Sequence, residues 1–353
     1  MSVTNKNSII KEFPKRLSVF FYLIFITPIL AVWIVLSSLK LFSFMDSVKT
    51  FFTPFILVAC LCVAGYLFFL YTFFTRKIYS YDGSQSSLDE VNKAVKRFET
   101  ITLVSAVLNS FILPIIVSIG GKFVNIDFQI FPIFTGCIAT VFSYSLFFYI
   151  CFMQTLEGLV CNLPFNEKYK GMPFLVRNIL VMAFGAIGLI AYAVTPIFVN
   201  NLKNLPVMTL FLTYIFPSTL FGLAMLLLDS FVQSRGTVKR INDLKSFSDA
   251  IVQKDYGDKK IAIRSRDEFG VLANDLNVFH DVTRDMLLQI DETVLGSLNN
   301  ADNLSVNMNQ TSGIVDEIVE NVNSIKDKIT DQAKVVDESY FTINEMIKKI
   351  EGL

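Results

Sequence analysis

Six apolar blocks, each about the 20 residues needed to cross a bilayer, constrain this chain before anything else. They lie near residues 17–39, 51–74, 101–119, 131–153, 175–199 and 207–232. With 53% hydrophobic residues and 35 phenylalanines among 353, the chain is too apolar for a water-soluble fold of its charge content. Polar residues crowd into the part that follows the last block. The expected fold is therefore an all-α membrane protein. Residues 1–16 form an N-terminal arm, 17–232 a six-helix transmembrane domain, and the rest a polar tail. Cys60, Cys62, Cys137, Cys151 and Cys161 fall in or beside apolar runs, with neither disulfide nor metal-ligand spacing. The spans hold no histidine, which excludes a His-ligated haem inside them, and no cofactor is expected.

Lysine and arginine set the expected orientation. The arm carries Lys6, Lys11, Lys15 and Arg16. The second connection carries Arg76, Lys77, Lys93, Lys96 and Arg97, and the fourth Lys168 and Lys170. The other connections are poorer in basic residues, so both termini are expected on the cytoplasmic side of the membrane. The outward connections are too short to fold a ligand-binding domain. A stimulus must then be met in the membrane, at its surface or through a partner. The basic cluster at 76–97 is accounted for by topology, so nucleic acid is not expected as a partner.

Prolines recur about every 80 residues in equivalent places, which reads as three helical hairpins. Pro28, Pro114 and Pro196 fall near the outer ends of outgoing spans; Pro54, Pro132 and Pro217 fall in the returning ones. All six are expected as helix kinks, whose freed carbonyls a neighbouring helix or ligand can satisfy. Asp229 is the acid within the sixth run and Arg177 enters the fifth at similar depth, which makes them a candidate intramembrane pair. Asn109 and Ser110 in the third span and Asn178 in the fifth are candidates for hydrogen bonds between helices.

Beyond the last block, residues 233–290 read as two short amphipathic helices joined by a polar linker. The first has Ile241, Leu244 and Ile251 on its apolar face; the second has Phe269, Leu272, Leu276, Phe279 and Met286. Asp267-Glu268-Phe269-Gly270, with Leu272 and Asn277 after it and Arg240-Ile241 opening the first helix, resembles a HAMP domain, the signal-converting module of bacterial receptors. Asn242 and Asp243 stand where that family usually has a proline. The resemblance implies a parallel homodimeric four-helix bundle in which Ile241, Leu244, Asp267, Glu268, Phe269, Gly270, Leu272 and Leu276 convert the signal. His280, the single histidine, is expected on the solvated flank.

From Leu287 onward one heptad phase persists for about ten repeats. Its a positions include Val294, Met308, Val315, Val322, Ile329, Val336, Ile343 and Ile350. Residues 291–353 are thus expected as a parallel dimeric coiled coil. The step from Thr283 to Leu287 is a stutter, which makes ideal packing on both sides of it incompatible. Residues 332–350, through Gln332-Ala333, Glu338-Ser339 and Glu345-Met346, resemble the opening of the methyl-accepting chemotaxis protein signalling domain. That resemblance implies a chemotaxis kinase and its coupling protein as partners only where a hairpin tip is supplied elsewhere, because none lies within these residues.

The expectation is a chemoreceptor-like signal transducer without enzymatic activity, acting as a homodimer in membrane lipid. The alternatives are an anchor and regulator for a class III nucleotide cyclase, or a transporter built on three repeats.

Overall fold

The computed structural model describes residues 14–124, 129–161, 163–253, 255–257 and 260–352. Most of the N-terminal arm therefore lies outside the described residues, in which every regular element is helical. Six helices are long and apolar enough to span a membrane. The first is α1 (Lys15–Ser38). A short amphipathic α2 (Phe44–Phe51) precedes the second, α3 (Pro54–Tyr79). The third is α4 (Gln85–Lys122). The fourth is α5 (Ile130–Thr140) continued through a π-helical turn into α6 (Leu146–Val160). The fifth is α7 (Phe174–Val194). The sixth runs from α8 (Val207–Leu210) through a π-helical turn at Phe211–Ile215 into α9 (Phe216–Val252). The last helix is α10 (Glu268–Glu351).

Two helices outrun the lengths read from hydropathy. α4 has 38 residues, on the order of 57 Å against a ~30 Å hydrocarbon core. Its residues 85–100 carry Asp89, Glu90, Lys93, Lys96, Arg97 and Glu99 and lie before the apolar stretch that starts at Ile101. α9 does not stop at the end of the sixth span. It continues as the first tail helix without a break, because no Gly or Pro interrupts residues 237–252.

Aromatic packing builds the core. Phe21 of α1, Phe98 of α4 and Phe152 of α6 meet with ring centroids 5.1–5.8 Å apart, and Phe74 of α3 stacks on Phe98 at 5.1 Å. This cluster draws α1 chiefly onto the fourth span and α3 onto α4, so the first and second spans are not each other's main neighbours. The third and fourth spans, and the fifth and sixth, do pack as hairpins. The three-hairpin expectation thus fails at the first pair, where buried aromatic area outweighs adjacency in the chain.

The prolines divide in the same way. Pro28 and Pro114 sit inside α1 and α4. Proline at 28 cannot donate to Ile24, and that freed carbonyl accepts a bond from the buried Ser145 hydroxyl at 2.6 Å. Pro54 opens α3, where a missing N–H costs nothing. Pro132 lies in the first turn of α5, Pro196 in a 3₁₀ turn after α7, and Pro217 just after the wide turn 211–215. Pro54, Pro132 and Pro196 start or end helical segments, whereas Pro217 lies inside the continuous helix Val207–Val252 of the sixth span.

The chain divides into two compact units, Met1–His280 and Asp281–Leu353. In the second, residues 285–352 are exposed along the whole helix, including Val294, Met308, Val322 and Ile343 of the apolar stripe.

Candidate functional site: a charged clasp on the connector

Residues 260–267 form an extended connector that returns from α9 to the start of α10. Its apolar residues find a small core: Phe247 of α9, Ile261 of the connector and Ala273 of α10 are buried, with Leu244, Ile251, Ile263 and Leu276 against them. An extended segment leaves its backbone groups to be satisfied by something. At Ile261 the Asn277 amide does this twice, accepting from the Ile261 N–H at 2.8 Å and donating to its carbonyl at 3.0 Å. His280 is not on a solvated flank. It is buried between the rings of Phe247 and Tyr256, at 5.6 and 6.2 Å.

The end of the connector plugs into the turn between α6 and α7. Arg266, Asp267 and Glu268 each engage a different part of that turn. Arg266 donates to the carbonyls of Val160, Leu163 and Pro164, at 3.1–3.3 Å, just where the C-terminus of α6 leaves its acceptors unpaired. Its own carbonyl accepts from the Gly171 N–H at 2.7 Å. Burial lowers its guanidinium to about 10, so it stays charged at neutral pH. Glu268 sits at the opposite kind of helix end. The residue preceding α7 is Pro173, which cannot cap it, and the Glu268 carboxylate accepts from the Phe174 N–H at 2.8 Å instead. Phe269 closes edge-on against Phe174 at 5.0 Å.

Asp267 lies between them in a four-membered ion cluster. Arg177 of α7 donates to Glu157 of α6 at 2.7 Å and to Asp267 at 3.0 Å. Arg240 of α9 donates to Glu157 at 2.6 Å and to Asp267 at 3.1 Å. The side chains of Arg177, Arg240, Glu157 and Asp267 are 7%, 9%, 12% and 2% exposed, so water screens little of their attraction. The second Asp267 oxygen accepts from the Ser265 hydroxyl at 2.6 Å and caps α10 at the Phe269 N–H, 3.1 Å away. Glu99 of α4 completes the lining. Burial pushes its carboxyl up to about 7; Arg177 opposes that rise, and Glu157 and Asp267 reinforce it.

The geometry also accounts for Gly270. A Cβ there would run into the Ser265 carbonyl, a backbone atom held by the connector.

The expected pair of Arg177 with Asp229 is not formed. Arg177 turns to Glu157 and Asp267, while Asp229 lies three turns deeper along α9, about 16 Å from the level of Arg240. Asp229 is fully buried, and neither of its oxygens has a hydrogen-bond partner. Asn178 does bond between helices, accepting from Gln233 at 3.1 Å, whereas Ser110 donates to the Val107 carbonyl of its own helix and the Asn109 amide nitrogen is buried without a partner. Of the other residues expected to convert the signal, Leu244 and Leu276 line the connector core, whereas Ile241 and Leu272 are exposed. Glu99, Glu157 and Arg266 were missed in the sequence, where single charges near span ends read as interfacial residues. The available signal was the run Arg266-Asp267-Glu268 beside a helix start, at Pro173, with no cap of its own. Compared with known proteins, no family model, no curated sequence and no solved structure matches this chain.

Proposed function

We propose that this protein is a transmembrane signal relay of the chemoreceptor type. Its six-span domain responds to a stimulus at or in the bilayer, and a HAMP-like converter at 233–290 passes the change to a parallel dimeric coil at 291–353. One observation carries this reading. The residues that open α10 are gripped by α6, α7 and α9 together, so a shift among the membrane helices must either move or release Asp267. The shared core of α9, connector and α10 supports the HAMP comparison. The apolar stripe after residue 285, interrupted at Ser297, Thr311, Gln332 and Ser339 and exposed in a single chain, supports a second copy as its partner. The Lys and Arg distribution supports a clasp on the cytoplasmic side, and the resemblance to receptor modules supports a bacterial inner membrane.

The test uses single cysteines at Leu276 and at Val315 in a background where the native cysteines are replaced, with oxidative cross-linking in membranes. The expected outcome is that both sites cross-link between copies and that Asp267→Asn changes the rate at each. Equal rates with and without the substitution would sink the relay.

A further inference from the structure

We propose that the clasp is a proton sensor: Glu99 carries a proton while Asp267 is docked, and loss of that proton to the cytoplasm loosens Asp267 from the membrane domain. The inference deepens the relay reading above and rests on it.

The charge inventory is the first argument. Two guanidiniums, Arg177 and Arg240, each bridge the same two carboxylates, Glu157 and Asp267, and that quartet is neutral. Arg266 is committed to three backbone carbonyls. Glu99 is a third carboxyl at the same place, buried, and it makes no hydrogen bond or ion pair among the described residues. An ionised Glu99 would leave the cluster with one uncompensated negative charge in a poorly screened site. As an uncharged acid it fits.

The surroundings are consistent from every side. Lys96 on the same helix is exposed. α6 contributes Glu157 and the Tyr149 hydroxyl, which is buried without a partner. α7 contributes Arg177, and α9 contributes Arg240 across Glu157. The connector contributes Arg264, Arg266 and Asp267, and the 3₁₀ turn against α4 brings Tyr169, whose ring takes Lys93 and Lys168. α5 carries no charge, and the basic residues Lys15, Arg16, Arg76 and Lys77 of α1 and α3 are exposed. A cavity of about 20 Å³ lined by Glu99, Glu157, Arg177 and Asp267 is large enough to hold one water beside the carboxyl. Gly171 lets the carboxyl approach: a Cβ there would sit 3.2 Å from its Oε2.

The direction follows from the raised position of Glu99. The docked state holds the proton more tightly than an ordinary glutamate at 4.5 would. Docking is therefore fully favoured below that ordinary value and is lost as the pH rises through about 7. Once Glu99 is ionised it competes for Arg177, and of the three acids only Asp267 sits on a segment that can leave.

The experiment uses the full chain in lipid nanodiscs with nitroxide labels at Lys168→Cys and Asp275→Cys, both exposed positions within the first unit. Spin–spin distances are read between about pH 5 and about pH 8.5, bracketing the window set by an environment-raised carboxyl. The expected result is a short distance at low pH that gives way to a longer one, with at least a tenfold change in their ratio. Glu99→Gln keeps the short distance throughout and removes a titrating protonated-carboxyl band from the infrared difference spectrum. If Glu99→Gln does not assemble, Glu99→Asp is expected to move the transition, and an unmoved transition overturns the proposal. So does a distance that ignores pH, or a Glu99→Gln chain that titrates like the parent. Asp267→Asn separates the two ideas: a long distance at every pH upholds the clasp whatever Glu99 does, whereas a short distance at every pH refutes the clasp and the sensor together.

Discussion

Arg177, Arg240, Glu157 and Asp267 are each satisfied by two of the others, so removing one strands its partners in a buried place. Arg240→Gln is expected to cost on the order of 3–5 kcal/mol in the stability of the first unit, read as a lowered thermal midpoint in detergent. Asp229→Asn is expected to do the reverse or nothing, since Asp229 has no hydrogen-bond partner to lose. A large loss of stability in that variant would mean that Asp229 is paired after all. Gly270→Ala is expected to unseat the connector, because the obstructing atom is the Ser265 backbone carbonyl and not a side chain that can swing away. Faster amide exchange at 263–267 would show it. The residue level was also the least legible in the sequence. Arg177 and Asp267 are 90 positions apart, and nothing in either neighbourhood names the other. Depth in the membrane favoured Asp229 as the partner, but depth says nothing about which side of a helix a charge faces.

At the level of elements, hydropathy located all six spans because a bilayer imposes its requirement segment by segment. It could not locate where polar helix continues past the lipid, which is why α4 and α9 proved longer than their apolar stretches. The proline pattern was real as sequence but mixed as structure, since a proline at a helix start and one in its middle look alike in a one-dimensional list. Of the two tail stripes read in the sequence, Leu244, Ile251 and Leu276 meet in the connector core, whereas Ile241, Leu272, Phe279 and Met286 stay exposed. Asn277→Ala is expected to leave the Ile261 N–H and carbonyl unsatisfied, at about 1–3 kcal/mol. Hydrogen exchange confined to the connector would reveal it, and unchanged protection at Ile261 would contradict the double bond described here.

For the molecule as a whole, the proposed assembly depends on the second unit finding a copy of itself. Its helix exposes Val315, Val322 and Ile329 along one stripe, and two charges placed there oppose each other across a parallel seam. Val322→Asp with Ile329→Asp is expected to yield monomers in light scattering of the purified protein, while leaving the thermal midpoint of the membrane unit in place. A dimer that survived both changes would require another interface.

The way the connector is seated also limits how it can come free. Arg266 completes the end of one helix, Glu268 begins the next, and Asp267 balances two cations in between. Lifting any one of the three leaves a bare helix terminus or a stranded guanidinium behind, so half-released arrangements are costlier than either extreme. In the proposed relay, such a coupling would act as a threshold: small disturbances in the membrane would be absorbed without output, and larger ones would trip it all at once.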